Sequence, residues 1–544
     1  MSVLLSPSAS TQPNALSIEP KQTAASNGWR RITRIRLLVL GLPWIGCAWQ
    51  AVLSQSREDL VCALLAASGA FLLFLDAFRP QRLFRYPLST VVILGFAITL
   101  QLGPLLFTAL EGNSITFNLL TPVDTFGHGV LVSLVCIVAH AIYRQSRALK
   151  TLRMVLQRQL LRFKIFEPLR SLEVAVMGSL GVFALGLSSW FSGLVGSTEL
   201  FKFIQGFQFL SIIPTAFLLP KLYSNQSGSN EHAFKRSLTL FLLFMALIVA
   251  VSLGRNSRST FVVPVACLVL GLVLEWLYGL IRIRLAAVLA ALLAILLLLP
   301  LATDLATAMV MVRGLRGDIP ATELFDETLN QLQDRDAIAR YRTLTSEADL
   351  TADWNYTYVS NLFLARFANA KFPDNSLENS ARLTSEAGDE MAQHHLLSLV
   401  STFPTPVLSL FGFDKSIKED VISYSFGDKL YSLSLGFSDV MGGFRTGHFF
   451  GSGMAAFGFS YLLFFLLSLL IVFPLVDAHA FVSRRSMDVA PLISVVAITE
   501  LINWLTISNV ESVVDLIQFS LRDFIQPILL FALVRYLLAR LRLA

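Results

Sequence analysis

A short polar turn between two apolar segments carries residues suited to holding an anion. The turn, residues 254–259, has the sequence GRNSRS. Arginine guanidinium groups match phosphate oxygens in pairs, and Asn and Ser side chains add hydrogen-bond donors. The free N–H groups at the start of the following helix would add more. We predict that Arg255, Asn256, Ser257 and Arg258 hold a phosphate-bearing group. The alternative is that the two arginines reach lipid headgroups or pair with carboxylates of a later loop.

Further arginines stand near the ends of apolar segments that face the same side as this turn. Arg313 and Arg316 follow one such segment, Arg445 precedes the next, and Arg366 lies in the polar stretch between them. Arg522 stands near the corresponding end of the last apolar segment. One pocket could gather these side chains, although Arg522 could equally pair with the adjacent aspartate. We predict substrate-binding roles for Arg313, Arg316, Arg366 and Arg522, and catalytic roles for Arg258 and Arg445.

His448 is the predicted catalytic proton acceptor, because imidazole titrates near neutral pH. Asp439 and Glu419 are alternative bases. His394 and His395 are adjacent, so on a helix they diverge by about 100° and cannot bind one metal ion from the same face. No phosphate loop, dinucleotide fingerprint or nucleophile elbow occurs in the sequence. We therefore predict no metal site and no cofactor.

The composition predicts an all-α polytopic membrane protein. Hydrophobic residues make up 54% of the 544 residues and charged residues only 15%. The apolar segments have the length of about 20 residues that a bilayer-spanning helix needs, and about 12 of them are present. We place the predicted transmembrane helices at residues 35–55, 60–78, 87–109, 123–143, 171–192, 201–221, 237–253, 260–280, 285–302, 449–475, 489–507 and 517–538.

Charge predicts the orientation of these segments. Clusters of Lys and Arg follow every second segment, and the intervening loops near residues 110–122, 193–200 and 508–516 contain none. Because positive loops stay in the cytoplasm, both termini are predicted to be cytoplasmic. Residues 303–446 hold 12 Lys and Arg against 20 Asp and Glu, a net charge of 12 − 20 = −8. This segment is predicted to be an extracytoplasmic loop domain, and the basic pI indicates topology and not nucleic-acid binding.

The sequence thus divides into four predicted parts: a disordered cytoplasmic tail (1–28), a bundle of about nine spans (29–302), the loop domain (303–446) and a bundle of about three spans (447–544). Within the loop domain, which we expect to be mainly helical, the patterns predict helices over residues 322–348, 353–366 and 376–400.

This layout resembles the bacterial polysaccharide polymerases of the O-antigen polymerase (Wzy-type) class, to which the O-antigen ligases are related. The turn at 254–259 is similar to that family's short Ser-Arg turn before a span. Residues 447–450 (GHFF), running into 456–459 (AFGF), are similar to its segment ending in a Phe-Gly pair after the large loop. Residues 451–454 (GSGM) depart from the acidic or Asn-rich stretch that often precedes the pair.

The resemblance implies a glycosyltransferase at the outer face of the bacterial cytoplasmic (inner) membrane. Such an enzyme moves a growing glycan from undecaprenyl diphosphate to a sugar hydroxyl of another lipid-linked repeat unit. The arginines would bind the departing diphosphate without a metal or cofactor. Expected partners are the lipid-linked oligosaccharide, membrane lipids, a chain-length regulator and export machinery. The open alternatives are an O-antigen ligase, a lipid-linked oligosaccharide flippase or secondary transporter, and a non-catalytic scaffold.

Overall fold

The protein is built almost entirely of α-helices. The structure, a computed structural model, describes residues 22–190, 203–224, 231–315, 319–351, 354–361, 364–403, 405–414, 417–418, 421, 423–437, 439–482 and 489–541. The helices of the first part are α1 (Gln22–Leu53), α2 (Arg57–Ala77), α3 (Pro80–Arg85), α4 (Pro87–Phe96), α5 (Gly103–Leu110), α6 (Pro122–Gln145), α7 (Arg147–Arg162), α8 (Ser171–Trp190), α9 (Ile213–Phe217), α10 (Pro220–Tyr223), α11 (Glu231–Arg255), α12 (Ser259–Leu277) and α13 (Leu285–Met311).

The second part continues the helical fold and adds one small hairpin. Its helices are α14 (Ala321–Gln333), α15 (Arg335–Thr351), α16 (Lys371–Ala381), α17 (Ser385–Ser401), α18 (Thr405–Leu410), α19 (Phe426–Leu435), α20 (Phe449–Phe457), α21 (Tyr461–Ala478), α22 (Val495–Leu505), α23 (Val513–Gln518) and α24 (Ile525–Arg540). Strands β1 (Ala480–Phe481) and β2 (Leu492–Ile493) pair antiparallel, with Ala480 opposite Ile493. Short 3-10 helices lie at Gly206–Ile212, Arg313–Leu315, Leu364–Phe367, Gly458–Ser460 and Ile507–Asn509, and π-helical turns at Ala97–Leu102 and Phe519–Asp523.

Eight helical segments of the described chain are long and apolar enough to cross a membrane. Four shorter apolar helices lie where further spans are predicted, at residues 171–187, 203–217, 297–311 and 495–505. The fold is that of an all-α, multi-pass membrane protein; the count of about 12 spans remains a prediction. The eight long segments are Ser26–Leu53, Arg57–Ala77, Pro87–Leu110, Pro122–Gln145, Phe234–Arg255, Ser259–Leu277, Phe449–Ala478 and Val513–Arg540.

Basic side chains gather at one end of the helical bundle, which we call the basic end. There the Arg153 guanidinium donates to the carbonyls of Arg85 (2.8 Å) and Asp477 (3.1 Å), and Arg535 pairs with Glu173 (3.2 Å). Helices α2, α6, α12 and α21 end here, and α4, α8 and α22 begin here. The opposite end, which we call the loop end, carries residues 111–121, 254–258 and 506–512 and the described residues between 312 and 448.

A buried carboxylate joins three helices at the basic end. Asp477 of α21 accepts hydrogen bonds from the backbone N–H groups of Leu88 (3.0 Å) and Ser89 (3.1 Å) in the first turn of α4. It also accepts from the hydroxyls of Ser89 (2.7 Å) and of Tyr143 on α6 (3.1 Å). Because the first N–H groups of a helix have no partner within it, Asp477 satisfies donors that would otherwise be buried and unpaired.

Helix α13 extends to Met311, beyond the predicted start of the loop domain at 303, and the described residues between 312 and 446 form shorter helices and loops at the loop end. Tyr358 donates to the carbonyl of Ile115 (2.7 Å), and Asp374 accepts from the N–H groups of Leu120 and Thr121 (2.9 and 2.7 Å). Three predicted helices differ from those observed. The predicted helix 322–348 breaks at residue 334 into α14 and α15, the helix 376–400 is divided between α16 and α17, and residues 354–361 are not helical.

Candidate anion-binding site

The polar turn at 254–258 joins α11 to α12 at the loop end. Asn256 has φ = +49°, a left-handed conformation that Asn adopts more readily than most residues. The Ser252 hydroxyl donates to the Ser257 carbonyl (2.6 Å), and the Ser257 N–H donates back to the Ser252 carbonyl (3.1 Å). These bonds fix the turn, and with it the start of α12, where Arg258 is the residue before the first helical one.

Three arginines from different elements lie close together here, and we call them the arginine cluster: Arg258 before α12, Arg313 after α13 and Arg366 in the turn 364–367. Burial lowers the pKa of Arg258, and repulsion by Arg366 and Arg313 lowers it further. Burial and repulsion by Arg313 lower the pKa of Arg366 in the same way. None of the three guanidinium groups has a carboxylate partner among the described residues. Within the described chain, the cluster is therefore a concentration of positive charge without a compensating carboxylate.

The other predicted residues of this site take different positions. The Asn256 side-chain nitrogen Nδ2 is buried and finds no hydrogen-bond acceptor within the described part of the chain, so it is a donor without a partner beside the cluster. Ser257 and Ser259 share a hydrogen bond between their hydroxyls (3.2 Å). Arg255 donates to the side-chain carbonyl of Gln208 (3.2 Å). Arg316 lies outside the described residues.

Arg445 is held in a pocket of its own. Its guanidinium pairs with the buried carboxylate of Asp428 (3.0 Å), donates to the carbonyl of Val440 (2.6 Å) and lies 4.7 Å from the centre of the Tyr431 ring. Asp428 in turn accepts from the N–H groups of Phe444 (2.6 Å) and Arg445 (3.1 Å). Arg445 thus compensates a buried charge and shapes the loop before α20, a geometry that favours a structural role over a catalytic one.

His448 is fully buried at the start of α20, and both of its ring nitrogens are bonded. Nε2 donates to the Ser508 carbonyl (3.0 Å), and Nδ1 accepts from the N–H of Phe450 (3.3 Å). The ring is therefore neutral, with its proton on Nε2. Burial lowers the pKa of His448 to about 3. A group with no free lone pair and so low a pKa is poorly placed to accept a proton from substrate. The predicted alternative base Asp439 is exposed, and Glu419 lies outside the described residues.

Glu511 is a candidate base that the sequence analysis missed. Its carboxylate accepts from the N–H of Gly427 (3.3 Å) and lies beside Gly447. Burial, reinforced by repulsion from Asp515, raises the pKa of Glu511 to about 7, although the backbone N–H groups act in the opposite direction. A half-buried carboxyl that titrates near neutrality is typical of general acid–base groups. The one sequence signal was an acidic residue in a short loop without Lys or Arg.

The loop 506–512 connects the arginine cluster with the residues around His448 and Glu511. Asn369, which follows the turn that bears one cluster arginine, donates to the side-chain oxygen of Asn509 (2.5 Å). His448 contacts the preceding residue, and Glu511 belongs to the same loop. Arg522 lies in neither group: it is exposed and pairs with the adjacent Asp523 (2.8 Å).

In the part of the chain that the structure describes, no group of three or more His, Cys, Asp or Glu is arranged to hold a metal ion. What the site offers a ligand is a set of cationic and neutral hydrogen-bond donors, which suits an anion such as a phosphate or diphosphate. Comparison of the chain with models of protein families, with curated proteins and with solved structures gives no match.

Proposed function

We propose that the protein is a membrane glycosyltransferase that polymerises oligosaccharide repeat units carried on undecaprenyl diphosphate. The observation that carries this proposal is the arginine cluster. Three guanidinium groups that repel one another, with no acidic partner in the described chain, are stabilised when an anion binds between them. A diphosphate at the end of a polyprenyl chain is such an anion, and it would be presented at the boundary of the bilayer, where the cluster lies at the ends of α12 and α13.

The chemistry requires stabilisation of the departing diphosphate. As the acceptor hydroxyl oxygen bonds to the anomeric carbon, the bond from that carbon to the diphosphate oxygen breaks and its electron pair leaves with the diphosphate. Arginines aimed at that oxygen lower the barrier because they are already in place when the charge develops. The cluster would therefore bind the carrier in both the substrate and the leaving state.

The hydroxyl proton needs an acceptor, and Glu511 is the residue best suited to this task. Its pKa of about 7 leaves a substantial fraction ionised at neutral pH, whereas His448 keeps both ring nitrogens bonded. Glu511 belongs to the loop 506–512, and Asn369, three residues after Arg366 of the cluster, contacts the same loop. Arg445 would act indirectly, by fixing the segment that leads into α20.

The loop end is proposed to face outward and the basic end to face the bacterial cytoplasm, with both termini there. This assignment rests on the distribution of Lys and Arg, which are retained on the cytoplasmic side. An outward site has no access to nucleotide sugars, which agrees with a lipid-linked donor. A ligase would use the same carrier and differ only in the acceptor.

The test is glycan transfer by the purified protein in vesicles containing a polyprenyl-diphosphate-linked oligosaccharide. The wild-type protein and the control Arg382→Gln, an exposed arginine paired with Glu378 (2.7 Å), are expected to make longer lipid-linked glycans. Arg258→Gln is expected to lose most of this activity. Translocation of the substrate without elongation would overturn the proposal in favour of a flippase, and full activity of Arg258→Gln would remove the cluster from the mechanism.

A further inference from the structure

A cavity at the basic end is separate from the candidate anion-binding site. It has a volume of about 670 Å³, within the range of small-molecule and cofactor sites. It lies where the first residues of α8, the short helix α10 and the ends of α11 and α12 meet. Phe217, Phe234 and Leu272 supply apolar walls. The cavity is thus amphipathic, and its polar residues can identify what it would hold.

Glu275 of α12 is the buried acidic group of this cavity. Only 3% of its surface is exposed, and its carboxylate oxygen Oε1 has no hydrogen-bond partner in the described part of the chain. Lys221 lies near and donates to the carbonyl of Leu280 (3.5 Å). A buried carboxylate oxygen without a donor is costly, so a ligand that brings a donor or a positive charge to Glu275 is favoured.

Basic side chains line the same cavity nearer to solvent. Arg170 and Arg236 are exposed, and Lys221 is half-buried. None of the three has a carboxylate partner by ion pairing among the described residues. The lining therefore carries three basic side chains and one carboxyl group, with the carboxyl group deepest. A ligand of matching charge places a phosphate near the arginines and a cation further inside.

The cavity continues into a narrower groove along the bundle surface. This groove has a volume of about 410 Å³, lies between α8 and α11 and shares Ser171 and Arg236 with the cavity. Its other walls include Leu172, Ala175 and Leu240. An apolar groove that opens from a charged cavity at the end of membrane helices suits a hydrocarbon chain attached to a charged headgroup.

We propose that this cavity binds a zwitterionic, amine-bearing phospholipid of the phosphatidylethanolamine type. The phosphate lies against Arg236, Lys221 and Arg170, the ammonium group reaches the Glu275 carboxylate, and one acyl chain occupies the groove. A phospholipid with only an anionic headgroup matches the basic side chains but brings no positive charge to the unpaired Glu275 oxygen. The site lies at the opposite end of the bundle from the arginine cluster and does not depend on the proposed function.

The test measures lipid binding to the purified full-length protein in detergent by native mass spectrometry. The probes are phosphatidylethanolamine and phosphatidylglycerol with the same acyl chains. Wild-type protein is expected to prefer phosphatidylethanolamine, and Glu275→Gln to lose affinity for it by about tenfold, the effect of removing a charged hydrogen-bond partner. The control Glu378→Gln, at the loop end, is expected to behave as wild type.

A second variant keeps the test decisive if Glu275→Gln fails to fold. Arg236 is exposed, so Arg236→Gln is expected to fold normally. It should weaken the binding of both lipids to a similar extent, because both lipids carry the phosphate. Equal binding of the two lipids by wild type, or unchanged binding in both variants, would overturn the proposal.

Discussion

Replacing Arg258 by Gln should make the ligand-free protein more stable, not less. Arg258 is half-buried, and Arg366 and Arg313 repel it. Its side chain has no ion pair among the described residues that the substitution would break. Gln keeps a polar side chain, although a shorter one, and removes the charge. A substitution that abolishes function and yet stabilises the protein is expected at a site whose side chains are strained in the absence of the ligand.

The expected gain follows from the size of such effects. Neutralising one member of a cluster of like charges contributes about 0.5–2 kcal/mol to the free energy of unfolding. In a chain of this length, that corresponds to a rise in Tm of roughly 1–3 °C. The matched control is Arg342→Gln, because Arg342 pairs with Asp304 (2.8 Å) and donates to the Thr307 hydroxyl (3.0 Å). That variant should lose about 0.5–1 kcal/mol.

The assay is thermal unfolding of both variants in one detergent without added ligand, followed by tryptophan fluorescence. The two variants should move in opposite directions from wild type. High salt should reduce the gain for Arg258→Gln, because salt screens the repulsion that the substitution removes. The reasoning would be refuted if Arg258→Gln lowered Tm as much as Arg342→Gln, since Arg258 would then be compensated within the protein.

The remaining predictions concern three residues, Glu511, His448 and Asp477. The pKa of Glu511 is higher in the folded protein, so its contribution to the free energy of unfolding is present at low pH and is lost as pH rises from about 4.5 to about 7. Glu511→Gln should remove this pH dependence, and denaturation across that pH range would measure it. Glycan transfer should rise with pH through about 7 in wild type, and an unchanged pH profile in Glu511→Gln would exclude it as the base. His448→Ala should lower the free energy of unfolding by about 2–4 kcal/mol, because two buried partners lose their hydrogen bonds; unchanged stability with lost transfer would instead favour catalysis by His448. Asp477→Ala should lower the free energy of unfolding, measured by chemical denaturation, by about 3–5 kcal/mol. The control Asp523→Ala, at an exposed residue, should change it little. Equal effects of the two substitutions would contradict the role of Asp477 at the start of α4.

The arginines of the cluster could be selected from the sequence because their positions follow from the apolar segments beside them. Arg258 and Arg313 directly adjoin the ends of α12 and α13, so segment length and charge alternation assign them to one end of the bundle. Their lack of acidic partners among the described residues could not be predicted, because it depends on how the segment between α13 and α20 folds over that end. Asp374 and Asp428 could have compensated the cluster, but both have other partners. Asp374 accepts from the N–H groups of residues 120–121, and Asp428 pairs with Arg445.

The roles of His448 and Glu511 depend on burial, which sequence patterns at the end of a span do not determine. His448 was expected to be a free base at the interface, but the chain folds so that a carbonyl and an N–H saturate its ring. Glu511 was overlooked because one carboxylate in a short loop is usually solvated. Burial raises the pKa of Glu511, against the opposing effect of the Gly427 N–H, and makes it a candidate.

The aromatic pattern of residues 353–366 predicts a helix, but residues 354–361 are not helical. The Tyr358 hydroxyl reaches the carbonyl of Ile115, and Glu111 accepts from the N–H groups of Ser360 (2.9 Å) and Asn361 (3.1 Å). These long-range bonds hold the Tyr358 side chain and the N–H groups of Ser360 and Asn361 outside a helix and outweigh local propensity.

The most direct test of the central claim is the binding of a polyprenyl diphosphate, compared with the matching polyprenol, to purified wild-type protein, Arg366→Gln and Arg382→Gln. We predict that the diphosphate binds wild type and Arg382→Gln with equal affinity, and that the polyprenol binds far more weakly. Arg366→Gln should lose about tenfold or more in affinity for the diphosphate, the effect of removing one charged hydrogen-bond partner. Equal binding of diphosphate and polyprenol, or of diphosphate by all three proteins, would show that the arginine cluster does not hold the carrier.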